Sequence, residues 1–152
     1  MKVLKTNFCL ESSEGLEKNL SDYKGSILVL YFYPKDYTKG CTIEALEFSD
    51  LNDEFEKLGA KVVGISKDKV TSHKNFKNKE NLKQELLADP DRKIHKEFGV
   101  LKDAKMYGKD VIKTVRSTFI FNKKGELVKE FRDVKAEDHA REVLKYIKEN
   151  DL

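Results

Sequence analysis

A single cysteine is placed here as a reactive thiol would be. Cys41 closes the segment Pro34-Lys-Asp-Tyr-Thr38-Lys-Gly-Cys41, directly after the apolar run Ile-Leu-Val-Leu-Tyr-Phe-Tyr at 27–33 and directly before a segment with helical spacing. A strand, a short loop and then a thiol in the first turn of a helix make a site for an ionised sulfur. The helix N-terminus carries roughly half a positive charge and several unengaged N–H donors. The thiolate is the form of cysteine that acts as nucleophile. The competing reading is a buried structural thiol, because Cys41 also falls on the apolar stripe of its helix and free cysteines pack well in cores.

Four other residues belong to the same argument. Thr38, three positions before Cys41, suits the N-cap, where its hydroxyl accepts from an N–H two or three residues on. The same hydroxyl could bond the sulfur or an oxygen approaching it. Pro34 ends the strand and fixes the loop, and would also shield the sulfur from water. Glu44, one turn beyond Cys41, would oppose a thiolate unless a cation lay between or beside them. Arg116, in Val115-Arg-Ser-Thr-Phe-Ile-Phe121, is the candidate cation, since an arginine at the head of an apolar strand is costly to desolvate without a partner.

Other chemistries find less support. His73, His95 and His139 lie far apart, no Cys/His pair has zinc-like spacing, and the three histidines read as surface or helix-face residues. Gly64-Ile-Ser-Lys67 lacks the glycine pattern of a phosphate loop, and no Cys-x-x-Cys is present to make a dithiol oxidoreductase.

The elements that must position Cys41 alternate. A buried strand over 27–33 leads to a helix over about 41–58, whose Cys41, Ala45, Phe48, Leu51, Phe55 and Leu58 recur every three or four residues until Gly59 stops it. Residues 60–66 form a second buried strand, 69–79 a polar helix and 85–88 a short strand. Asp89-Pro90 opens a further helix that Gly99 ends. Residues 114–121 and 126–131 flank Asn122-Lys-Lys-Gly125 as a hairpin, and a last helix spans about 136–149 with Val143, Leu144 and Ile147 inward. With a strand or hairpin in the first 25 residues, the order predicts an α/β sandwich with parallel crossovers followed by an antiparallel pair.

The chain of 152 residues reads as a single domain, with 39% hydrophobic residues as ordinary core material. Thirty Lys and Arg against 27 Asp and Glu leave a net charge of +3, dispersed along the chain, which argues for a solvated surface rather than a nucleic-acid patch. No apolar stretch approaches the ~18 residues a membrane span needs, and the N-terminal Met-Lys-Val-Leu-Lys-Thr-Asn-Phe lacks the apolar core of a signal peptide. Two cysteines are too few for a secreted disulfide scaffold, so a cytoplasmic setting is expected.

The set Pro34-x-x-x-Thr38-x-x-Cys41 with Arg116 resembles the signature of the peroxiredoxins. Tyr33-Pro-Lys-Asp followed by Gly-Cys-Thr-Ile-Glu-Ala45 looks like the bacterioferritin-comigratory-protein (PrxQ) branch. Val63-Gly-Ile-Ser-Lys-Asp68 followed by His73, Leu87-Ala-Asp-Pro90 and Phe98-Gly-Val100 extend the likeness over about residues 7–148. The resemblance implies a thioredoxin-like fold and thiol-based reduction of peroxides without metal or organic cofactor. Cys41 would be the peroxidatic cysteine, with Thr38, Pro34, Arg116 and Glu44 around it. A thioredoxin- or glutaredoxin-like reductant and a monomer or weak homodimer are further expectations of the resemblance.

Two departures stand out. Where many members of that branch carry a resolving cysteine five residues after the peroxidatic one, this chain has Leu46, and residues 69–79, where others carry it, contain none. Cys9 is the other thiol, read either as a small apolar residue of an N-terminal strand or as a resolver. The expectation is a one-cysteine enzyme with an external thiol. The alternatives are a peroxide sensor that passes oxidation to a partner by mixed disulfide, and a binding module with an inert thiol. Since residues 41 and 46 lie on different helix faces, a chain that need not join them should hold its first helical turn more firmly.

Overall fold

The structure, a computed structural model, describes residues 8–152. The part of the expected N-terminal hairpin that falls on residues 1–7, and the signal-peptide reading of that segment, lie outside the described residues.

Among the described residues, nine strands and five α-helices follow in chain order. They are β1 Cys9–Ser12, β2 Glu17–Asn19, β3 Ile27–Phe32, α1 Lys39–Asp50, α2 Asn52–Lys57, β4 Ala60–Ser66, α3 Val70–Glu80, β5 Glu85–Ala88, α4 Lys93–Glu97, β6 Leu101–Met106, β7 Lys109–Thr114, β8 Ser117–Phe121, β9 Leu127–Phe131 and α5 His139–Glu149. Seven strands form one mixed sheet in the order β2-β1-β5-β4-β3-β8-β9. β3, β4 and β5 are parallel, and β8, β9, β1 and β2 are added antiparallel. This is the α/β arrangement expected of the alternating pattern and the thioredoxin-like fold that the resemblance implies, with the N-terminal hairpin as an extension.

β3 is buried along its whole length, and its alternation feeds two cores. Ile27, Val29, Tyr31 and Tyr33 face α1, α2, α3 and α5, together with Phe48, Phe55, Phe76, Val143 and Ile147. Leu28, Leu30 and Phe32 face the other layer, with Phe8, Ile94, Phe98, Phe119 and Phe121. Burial on both faces explains why the run reads as continuously apolar rather than alternating.

Several expectations require correction. The helix over 41–58 begins earlier, at Lys39, and is two helices, because Leu51 adopts φ −94° and ψ 1°. In a straight helix, Phe48 and Phe55 would stand roughly 10 Å apart along the axis; the break brings their rings to 6.0 Å, inside one core. The strand over 114–121 is also divided: Thr114 ends β7 and Ser117 begins β8 in a different sheet. β6 and β7 pair with each other through a tight turn at Tyr107-Gly108, both at positive φ, a hairpin that the sequence reading did not find. The last helix starts at His139 rather than near residue 136. All three histidines lie in helices, as one of the two readings has it, but none is on the surface: His73 and His95 are fully covered and His139 is 3% exposed. His73 bonds Asp36 and the Leu87 carbonyl, His139 bonds Thr118 and Glu142, and His95 bonds Asp89 through Nδ1, and such partners are what permit burial of a polar ring.

Candidate active site

The parallel strands β3, β4 and β5 end together, at Phe32, Ser66 and Ala88, and the loop 33–38 crosses this carboxyl edge. Clefts outside the carboxyl ends of strands are the usual sites of open α/β sheets. On the other side of β3, the antiparallel register sets Phe32 opposite Ser117. Arg116 therefore stands one step beyond the ladder, opposite Tyr33, at the break between β7 and β8.

Cys41 is the third residue of α1 and is 1% exposed. Arg116 joins it to Glu44: Nη2 donates to the Cys41 sulfur at 3.4 Å, and Nη1 donates to Glu44 Oε1 at 2.6 Å. A guanidinium fork with one arm on a sulfur and the other on a carboxylate holds both in a fixed relation. Gly40 leaves room for that fork, since a Cβ there would lie 3.2 Å from Arg116 Nη2 and 3.8 Å from Ala136 Cβ.

Glu44 is fully buried and its Oε2 has no hydrogen-bond partner. Burial raises its carboxyl to about 7, against the attraction of Arg116. For Arg116, desolvation works against the charge, yet Glu44 and Cys41 more than offset it and the guanidinium titrates above its ordinary value. Arg116 thus stays charged while Glu44 is poised to hold or release a proton near neutrality. Behind this pair, His139 Nε2 lies 2.7 Å from the Thr118 hydroxyl and Nδ1 lies 3.0 Å from Glu142 Oε1. Burial lowers the His139 pKa despite Glu142. The neutral ring then donates from Nδ1 to the carboxylate and accepts from Thr118.

Thr38 takes the N-cap position of α1 but does not cap with its side chain. Its hydroxyl donates to the Lys35 carbonyl at 2.9 Å, while its own carbonyl accepts from the Thr42 N–H at 2.9 Å. Tyr37, at φ 68°, tightens the turn and aims the hydroxyl at Lys35. The hydroxyl proton is thereby committed, and the oxygen lone pairs remain. Pro34 is half-buried at the start of the same loop.

Cys9 is not brought to this site. It is exposed on β1, and β5 and β4 separate β1 from β3. Three strand spacings of ~4.8 Å amount to roughly 14 Å, against a Cα separation limit of ~7 Å for a disulfide. Arg116 and Cys41 lie toward the β8 side of β3, farther still. Desolvation and then Glu17, whose Oε2 is 3.8 Å from the sulfur, raise the Cys9 thiol above its ordinary value.

Sequence reasoning missed a buried polar cluster beneath the loop. Asp36, Asp68 and His73 present ligand-type atoms within 4.8 Å of one another. Their atoms are engaged with one another and with Tyr33, Ser66, Ser72 and Leu87 through hydrogen bonds. We read the group as a hydrogen-bond network. The sequence signals were Asp36 directly after an apolar strand, a placement that as easily denotes a turn, and the family-like segments holding Asp68 and His73, which do not say that the three side chains meet.

The thiol, guanidinium and carboxylate over the carboxyl edge of a thioredoxin-like sheet make up the candidate site of a thiol-based oxidoreductase, and the chain belongs to the AhpC/TSA family, which matches residues 4–130. Peroxiredoxin Bcp of Bacillus subtilis is 45% identical over 140 residues, covering 92% of this chain and 89% of that protein. Peroxiredoxin Bcp of Xanthomonas campestris is 44% identical over 139 residues, with coverage of 91% and 87%. A solved structure of Xanthomonas campestris peroxiredoxin Q superposes with a TM-score of 0.90 at 43% identity, covering 94% of this chain and 90% of that one. Within the family the chain is a peroxiredoxin of the bacterioferritin-comigratory-protein (PrxQ) branch.

Proposed function

We propose that this peroxiredoxin reduces hydrogen peroxide and organic hydroperoxides through a sulfenic acid at Cys41, and that an external thiol of thioredoxin or glutaredoxin type resolves it. The observation that carries the reading is the Arg116 fork, with one arm on the Cys41 sulfur and the other on buried Glu44. The organic substrates follow a relative: structures of the Xanthomonas campestris bacterioferritin comigratory protein concern its alkyl peroxide reduction.

In the first step the Cys41 thiolate attacks the terminal oxygen of the hydroperoxide. An S–O bond forms, the O–O bond breaks, and an alkoxide or hydroxide leaves and takes up a proton. The sulfur is oxidised by two electrons and the peroxide is reduced by two. Arg116 Nη2 and the Cys41 N–H, in the first turn where helices leave donors unengaged, stabilise the departing charge in the manner of an oxyanion hole. Thr38, its proton committed to Lys35, serves as acceptor for the peroxide O–H and orients it. Glu44, poised near neutrality, is placed one fork away to supply the proton. In the second step a reductant thiol displaces water from the sulfenic acid, and a second thiol releases Cys41 with formation of the reductant's disulfide. At 1% exposure the sulfur admits a small end-on oxidant, whereas a protein thiol requires the first turn of α1 to open.

A second reading, a redox relay that hands oxidation to a partner by mixed disulfide, is favoured by one observation: Leu46 stands where a resolving thiol would and Cys9 is three strands away. Intact mass and turnover separate the readings. Reduced protein treated with hydrogen peroxide should gain one oxygen at Cys41 and turn over with thioredoxin or glutaredoxin. Oxidation without turnover would favour the relay. Loss of two hydrogens, or a disulfide dimer that Cys9→Ser abolishes, would make Cys9 an intersubunit resolver. Among the described residues no helix is long and apolar enough to cross a membrane.

A further inference from the structure

We infer that Asp36 and His73 form a buried clasp that holds the loop 33–38 in the geometry that presents Thr38 and Cys41 to peroxide, which makes both of them positioning residues. The inference rests on the reading of Cys41 as the peroxidatic thiol.

The loop has a demanding task. Within six residues it carries the chain from the end of β3 to the first turn of α1, and it does so with Tyr37 in the left-handed region at φ 68°. An aromatic residue adopts that backbone only where its surroundings over-determine it. The surroundings are supplied largely by α3. Asp36, 2% exposed, accepts from the Tyr33 hydroxyl at 2.6 Å through Oδ1, and from the Ser72 hydroxyl at 2.8 Å through Oδ2. His73 Nδ1 lies 2.8 Å from the same Oδ2, and its Nε2 lies 2.9 Å from the Leu87 carbonyl oxygen. The Asp36 N–H donates to Asp68 Oδ2 at 2.8 Å, and Asp68 is held in turn by the Ser66 hydroxyl at 2.6 Å. One residue on, the Tyr37 ring packs edge-on against Phe76 at 5.1 Å, with Lys79 Nζ 5.5 Å from its centroid.

The proton count fixes the roles. A backbone carbonyl only accepts, so His73 Nε2 carries a hydrogen and donates to Leu87. The 2.8 Å contact between Nδ1 and Asp36 then holds one further proton, shared by the pair. Both partners are out of solvent, so removal of either costs the other a short buried hydrogen bond and leaves it weaker or fewer contacts, Tyr33 at Nδ1 of His73 and Tyr33 with Ser72 at the Asp36 carboxylate. Three segments, the ends of β4 and β5 and the face of α3, are thereby fastened to one residue of the loop. Thr38 follows two positions later, and its carbonyl receives the first hydrogen bond of α1. A displacement of Asp36 therefore shifts Thr38 and the turn carrying Cys41 relative to Arg116, which is anchored separately in the β7–β8 break. Nothing in the clasp touches the reacting atoms.

The test compares two reactions of the same thiol, with thermal unfolding used to choose a temperature at which each variant is folded. Oxidation of Cys41 by hydrogen peroxide needs Thr38, Arg116 and the sulfur in register, whereas alkylation by iodoacetamide needs only a reachable thiolate. Asp36→Ala should slow sulfenic acid formation about 10–100-fold and leave alkylation unchanged or faster, as a loosened loop uncovers the sulfur. Asp36→Asn, which keeps the shape and a polar partner for Tyr33 and His73, should recover the peroxide rate to within about threefold of wild type. Ser72→Ala removes one donor and serves if Asp36→Ala does not fold; it should slow peroxide oxidation about 3–10-fold without slowing alkylation. Folded variants that match wild type with peroxide, or that lose both reactions equally, overturn the clasp. If wild-type Cys41 itself forms no sulfenic acid, it is the peroxidase reading that fails.

Discussion

Cys41 is 1% exposed, lies in the first turn of α1 and faces the Arg116 guanidinium, whereas Cys9 is exposed on β1 and faces the Glu17 carboxylate. Accessibility alone would nominate Cys9 as the reactive thiol. The neighbours differ: desolvation and the Glu17 carboxylate hold the Cys9 thiol above its ordinary value, whereas a guanidinium donates a hydrogen bond to the Cys41 sulfur. On the proposed function, the comparison teaches that reactivity toward peroxide is built from donors around the sulfur, and that a nearly closed site can serve because the oxidant is small.

Removing each thiol gives the largest contrast. Cys41→Ser should abolish peroxide consumption, while Cys9→Ser should keep the rate with an external thiol within about twofold of wild type, as a surface substitution remote from the site does. Coupled peroxidase assays check both, and a dead Cys9→Ser enzyme would break the distinction. Next in size, Arg116→Met should lower the second-order rate of Cys41 oxidation by two to three orders of magnitude, about the cost of one oxyanion-hole donor. Stopped-flow competition for peroxide measures it, and a loss below about fivefold would assign the stabilisation elsewhere.

A smaller effect concerns the fate of the sulfenic acid. Without a second thiol in reach, Cys41 should accumulate sulfinate under repeated peroxide turnover with a weak reductant, and Cys9 should not. Peptide mass spectrometry that finds no sulfinate at Cys41 would show a faster internal resolution than the fold provides.

The smallest effect, on stability, is carried by Glu44. Its carboxyl is raised from an ordinary 4.5 to about 7, so the folded protein holds that proton more tightly than the unfolded chain does. The resulting stabilisation is complete below about pH 4.5 and is lost as pH rises through about 7, on the order of 3 kcal/mol across the window. Glu44→Gln cannot ionise and should lose less stability than wild type between pH 5 and pH 8 in urea unfolding. Equal slopes would place the shift on another group.

Much of this was legible in the chain because it is local. The apolar run of β3, the spacing of Cys41, Ala45 and Phe48, and Gly59 after α2 each follow from periodicity and turn chemistry over a few residues. The β6–β7 hairpin was not legible, since Leu101-Lys-Asp-Ala-Lys-Met106 and Lys109-Asp-Val-Ile-Lys-Thr114 are charged, largely exposed strands joined by Tyr-Gly. With no buried face there is little alternation to read. Thr38 illustrates a finer limit: its N-cap position was readable, but the direction of its hydroxyl depends on the left-handed Tyr37 beside it.

By itself the sequence determined the strand–loop–helix that puts Cys41 in a first helical turn, and the choice of residues able to share a charge with it. Tertiary structure decided which of them meet. Arg116 reaches Cys41 across 75 positions because the β3–β8 register ends at Phe32 and Ser117. His73 lies beneath Asp36 because α3 crosses the carboxyl edge of the sheet. Cys9 is kept away because two strands are inserted between β1 and β3. Local pattern specifies elements through short-range sterics and periodicity, whereas a site assembled from four separate segments exists only once the sheet order and register are set.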